Sequence, residues 1–86
     1  MQEIMHVYLR WYDSGRPMTG PLLMTSESAA RAAVLERFPE ASFSERRKTI
    51  HEPTVQLSGI EEVMFVWPEP KTQGLNAVAD ILFPLN

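Results

Sequence analysis

The chain has 86 residues, 44% of them hydrophobic, and a formal net charge of −3 from 8 Lys+Arg and 11 Asp+Glu. That length fits one domain, 1–86, and leaves no room for a second, while the hydrophobic share excludes a disordered chain. The mild acidity argues against non-specific nucleic-acid binding, which calls for a basic balance, and is too weak for a mimic of DNA.

Residues 4–12 alternate: Met5, Val7, Leu9 and Trp11 fall on one face, His6, Tyr8, Arg10 and Tyr12 on the other, the period of a half-buried strand. Asp13-Ser14-Gly15-Arg16-Pro17 reads as a turn. Leu22-Leu23-Met24 reads as a short edge strand, weakened by Gly20 and Pro21. Thr25 or Ser26 caps a helix, with Glu27 suiting its positive end. Ala30, Ala33, Val34 and Phe38 make its apolar stripe, Arg31 and Arg37 face water, and Pro39 ends it.

Ala41 to Ile50 reads as an exposed strand, broken by His51-Glu52-Pro53. Val55 to Ile60 reads as a loop or a short strand around Gly59. Val63-Met64-Phe65-Val66-Trp67 is apolar on both faces and is expected in the sheet interior. After Pro68, Leu75, Val78, Ala79 and Leu82 recur at helical spacing, which predicts a short amphipathic helix within Thr72 to Phe83. The segment 68–86 is thus expected to dock on the domain or on a partner. The expected fold is α+β: a three- to four-stranded, mostly antiparallel sheet with one Ala-rich helix on a face and a short C-terminal helix.

No arrangement of residues has the layout of a catalytic, metal or cofactor site. The chain has no cysteine and no Gly-x-Ser-x-Gly, and its glycines, Gly15, Gly20, Gly59 and Gly74, are scattered rather than clustered. His51-Glu52 lacks the second histidine of a zinc-protease motif, and Pro53 forbids the helix that motif needs. Adjacent Glu61 and Glu62 point to opposite faces of a strand and cannot share a proton. The reading is a non-enzyme with no cofactor. The lack of cysteine suits a reducing cytoplasm, Met1 to His6 lacks the basic start and apolar run of a signal peptide, and no apolar stretch is long enough to cross a bilayer.

Two surfaces are left uncommitted. Tyr8, Arg10 and Tyr12 interleave aromatic rings with positive charge, as on sheets that stack bases and in protein–protein hot spots; equally, the terminal helix covers this face. Arg46-Arg47-Lys48 is the basic cluster, read either as an edge-blocking run or as a contact for a partner's carboxylates or a phosphate. A homodimer through an exposed strand edge is a further expectation.

The layout, a short strand, then Thr25-Ser26-Glu27-Ser28-Ala29-Ala30-Arg31-Ala32-Ala33, then further strands, resembles small phage and mobile-element proteins, anti-CRISPR proteins among them. The likeness spans roughly residues 4–67 as a pattern and carries no functional residue. It implies a stoichiometric inhibitor that binds a CRISPR effector complex or nuclease. The alternatives are a small nucleic-acid-binding module and an accessory subunit of a larger complex.

Overall fold

In the computed structural model, which describes residues 6–13, 16–18, 20–48, 59–68 and 77–84, the alternating first segment forms β1 (Val7–Asp13). It is followed by β2 (Arg16–Pro17), β3 (Leu22–Met24), α1 (Glu27–Arg37), β4 (Ser42–Phe43), β5 (Arg47–Lys48), β6 (Ile60–Trp67) and β7 (Ala79–Pro84). Among the described residues these strands make one antiparallel sheet. β2 and β3 lie end to end along one side of β1, β7 lies along its other side, β6 comes next, and β4 and β5 lie end to end along the outer side of β6.

The register explains why both outer strands are broken. Tyr12 pairs with Pro17, but Leu9 pairs with Leu22, so the chain loops out two residues between β2 and β3, around Gly20 and Pro21. At the other edge Phe43 pairs with Val66 and Arg47 with Val63, so one extra residue is accommodated between β4 and β5. That is a β-bulge, the usual way to bend an edge strand and end its ladder.

Ser26 caps α1: its Oγ accepts from the Ala29 N–H at 3.1 Å. The helix ends at Arg37, where the Phe38 N–H still donates to the Val34 carbonyl at 2.8 Å and Pro39 cannot extend the ladder. Ala30 and Val34 are buried and pack with Val7, Leu9, Met64, Val66, Ala79, Ile81 and Phe83. A small residue at the contact lets the helix lie close to the sheet. Arg37 is exposed, as the spacing predicts, with its guanidinium 4.7 Å from the centre of the Trp11 ring. Arg31 is not fully in water: it pairs with Glu27 at 2.9 Å and covers the Phe43 ring at 4.7 Å, so its stem shields an apolar edge.

The expected C-terminal helix is corrected. Ala79–Pro84 is a strand, and it is the central one, between β1 and β6. Ala79, Asp80, Ile81, Leu82 and Phe83 are all buried, although a helix would leave one side wet. The helical spacing of Val78, Ala79 and Leu82 is outweighed by the backbone. Without β7, the facing edges of β1 and β6 would leave a run of buried N–H and C=O groups without partners. The earlier part of that expected helix, 72–76, lies outside the described residues, as do Met5 and His51. The expected sheet of three to four strands becomes seven strand segments, because β7 adds a lane and the two edge lanes are each interrupted. The expected interior position of β6, the edge position of β3 and the polar edge between Ala41 and Lys48 agree with the observed sheet.

Candidate functional site

Alternation along β1 sends Tyr8, Arg10 and Tyr12 to the face opposite α1, and pairing decides what they meet there. Arg10 stands directly across from Asp80 on β7. Its Nε donates to Asp80 Oδ1 at 3.2 Å and its Nη2 to Oδ2 at 2.8 Å, a two-point contact that suits guanidinium and carboxylate geometry. The Tyr12 hydroxyl accepts from Arg10 Nη2 at 2.7 Å and donates to Asp80 Oδ2 at 2.6 Å, closing a triangle. The side chains of Arg10 and Asp80 are 7% and 0% exposed. Burial opposes the charge of Arg10, but the hydrogen bonds and charge of Asp80 outweigh it and hold the guanidinium above its ordinary value. Burial, then the hydrogen bond and charge of Asp80, push the Tyr12 phenol up to about 12, with Arg10 partly offsetting them. Among the described residues no buried side-chain N or O lacks a partner.

This triangle is turned inward. Its strong donors and acceptors are spent on one another, which is how a buried ion pair is tolerated in a low-dielectric interior. Of the three residues on this face, Tyr8 alone stands apart from the triangle: it is half-buried, edge-on to the exposed His6 ring at 6.3 Å.

Arg46, Arg47 and Lys48 sit at the opposite edge, three strand spacings or about 14 Å away, with β7 and β6 between. Leu82 and Val63, which lie in one row between Tyr8 and Arg47, are buried. The two groups of residues are therefore separate surfaces. At the bulge, Ser44 replaces the missing ladder partner: its N–H donates to the Phe65 carbonyl and its Oγ accepts from the Phe65 N–H, both at 2.9 Å. The extra residue swings Arg46 to the helix side, where it pairs with Glu62 at 2.7 Å and lies 3.9 Å from the centre of the Phe83 ring. Arg47 points to the other face, 5.6 Å from the Phe65 ring centre, and the Phe65 ring lies 6.5 Å from that of Trp67.

A groove of about 640 Å³ opens at the bulge, lined by residues 42–47 and Trp67. Charges around it balance: Arg46, Arg47 and Lys48 stand against Glu45, Glu61 and Glu62. Arg46 is held by Glu62, whereas Arg47 and Lys48 are exposed and, among the described residues, have no carboxylate partner; strand alternation puts Arg47 in the groove and Lys48 on the helix side. The groove thus offers the Arg47 guanidinium on the face that also carries Phe65 and Trp67, while Phe43 lies on the helix side under Arg31.

Two features were not legible in the residue pattern. Asp80 reads as the wet side of a helix, although its place as the lone charge in Val78-Ala79-Asp80-Ile81-Leu82-Phe83 is the signal of a buried, partnered carboxylate. The groove comes from a one-residue register shift, which no spacing in Ser42 to Lys48 encodes. Among the described residues there is no cluster of three or more His, Cys, Asp or Glu fit to hold a metal ion, and no helix is long and apolar enough to cross a membrane.

Comparison with known proteins returns no significant match to a protein-family profile, a characterised protein or a solved structure.

Proposed function

We propose that this chain is a non-enzymatic protein-binding domain that holds an acidic segment of a partner in the groove at the β4–β5 bulge. The observation that carries this reading is Arg47, exposed and without a carboxylate partner among the described residues, in the groove lined by Trp67. An arginine fork and an aromatic wall suit a carboxylate next to an apolar side chain. The inward-turned Arg10–Tyr12–Asp80 triangle supports the non-enzymatic part, since its polar atoms satisfy each other.

A nucleic-acid partner is disfavoured by magnitude. Tight binding to a backbone needs several uncompensated cations, whereas the charges at this edge cancel and the chain carries −3. The layout resemblance adds one narrower case, an inhibitor of a CRISPR effector complex, for which such a complex serves as bait in the same assay.

The test is selection of a displayed peptide library on the immobilised protein. Peptides pairing Asp or Glu with an aromatic or aliphatic residue should be enriched, and Arg47→Glu should weaken their binding by about tenfold or more, the value of one lost charge-assisted contact. Single-stranded RNA at low salt is the control ligand. Enrichment that ignores charge, or binding that survives Arg47→Glu, overturns the reading.

A further inference from the structure

We propose that the β3 edge pairs with the β3 edge of a second copy, joining two sheets into one across a two-fold axis through Leu23. The two edges of this sheet are treated differently. The β4–β5 edge carries a bulge and three consecutive cations, the devices that block edge-to-edge pairing. The β3 edge carries no charge between Leu22 and Met24, and it exposes Leu22 at 53% and Leu23 at 64%, with Met18 nearby at 50%. An unguarded apolar edge is a pairing surface.

The backbone gives the register. The Tyr12 N–H donates to Val78 and the Trp11 carbonyl accepts from Met18. Even-numbered residues of β1 thus turn their backbone groups to β7, and odd-numbered ones turn theirs to β2 and β3. Leu22 and Met24, opposite Leu9 and Val7, spend their N–H and C=O on β1. Leu23 turns its own outward. An antiparallel partner meeting Leu23 with its own Leu23 satisfies both outward groups on each chain and sets Leu22 of one copy opposite Met24 of the other. That match is self-complementary, as a two-fold interface requires, and needs no other protein. Pro21, which has no N–H, and the start of α1 at Glu27 confine the ladder to Leu22–Met24.

The geometry admits two copies. α1 packs over β1, β3 and β7, and the two β1 strands would lie three spacings or about 14 Å apart, more than the roughly 8–10 Å between packed helices. The apolar side chains of Met18, Leu22 and Leu23 supply on the order of 300 Å² per copy, below the roughly 800 Å² per partner of a standard interface, so the dimer is a weak, exchanging one. If the groove reading above also holds, the joined sheet carries two grooves at its outer edges, on the order of 40 Å apart, and binds bivalent acidic partners with avidity.

The test is sedimentation of the full chain without ligand from about 10 µM to about 1 mM, with amide hydrogen exchange over the same range. The expected result is a mass that rises toward the dimer, a Leu23 amide that exchanges at least tenfold more slowly at the high end, and loss of both in Leu23→Lys, whose exposed position leaves the fold intact. A constant monomer mass, or a Leu23 amide indifferent to concentration, overturns the proposal. Arg47→Glu should dimerise as the parent does, so a missing dimer leaves the groove reading standing, and an intact dimer that captures no acidic peptide sinks the groove alone.

Discussion

Removing Asp80 tests whether the buried triangle is structural. Asp80→Ala leaves the Arg10 guanidinium in a site where its side chain is 7% exposed, with its two-point partner gone. Breaking a buried pair from one side costs about 3–5 kcal/mol, because the remaining charge keeps its desolvation penalty. A chain of this length has a total stability of about 4–13 kcal/mol, so the variant should lose a large part of it. With a urea slope of about 1 kcal/mol per molar, the midpoint should fall by about 3 M or more, or the chain should be unfolded in buffer. The compensating variant is Arg10→Met, Tyr12→Phe and Asp80→Leu together, which removes every member of the triangle and replaces it with apolar volume. It should stand within about 2 kcal/mol of the parent, since buried ion pairs exchanged for packed hydrophobic residues are often neutral. Urea melts at pH 7 followed by tryptophan fluorescence measure both variants. The reasoning fails if Asp80→Ala costs under about 1 kcal/mol, or if the compensating variant is no more stable than Asp80→Ala.

Two further outcomes follow from the same geometry. The Tyr12 phenol is raised to about 12 from an ordinary 10.0, so the folded state holds this proton more tightly than the unfolded state. Its contribution is complete below pH 10 and is lost as pH rises toward 12, about 1–2 kcal/mol after allowing for partial exposure. Stability measured from pH 8 to 12 should fall less steeply in Tyr12→Phe, and equal slopes would refute the assignment. Ser44→Ala removes the acceptor of the Phe65 N–H at the bulge. The loss should be about 1 kcal/mol, with faster exchange of the Phe65 amide; an unchanged amide would mean that Ser44 does not hold the bulge.

Local pattern carried much of the fold. Alternation from Val7 to Trp11 placed the apolar face of β1, the Ser26 cap and Pro39 bounded α1, and the two-sided apolar run from Val63 to Trp67 marked an interior strand. The C-terminus misled for a physical reason. A short apolar run has the same composition in a buried strand and in a helix, and Val78, Ala79 and Leu82 fit both periods. The deciding fact is non-local: β1 and β6 each need a partner between them, and Ala79–Pro84 supplies it.

The surfaces divide in the same way. Their composition was legible: Tyr8, Arg10 and Tyr12 on one face of β1, and Arg46, Arg47 and Lys48 on a polar edge. What each group does depends on its neighbours across the sheet. Asp80, seventy positions away, draws Arg10 and Tyr12 inward, and a one-residue register shift opens the groove beside Arg47. The sequence by itself determined the place and ends of α1 and where β1 and β6 run, because those follow from caps and periodicity. Only the tertiary structure decided which charges stay exposed and which edge is unguarded, because strand pairing joins residues that no local period connects.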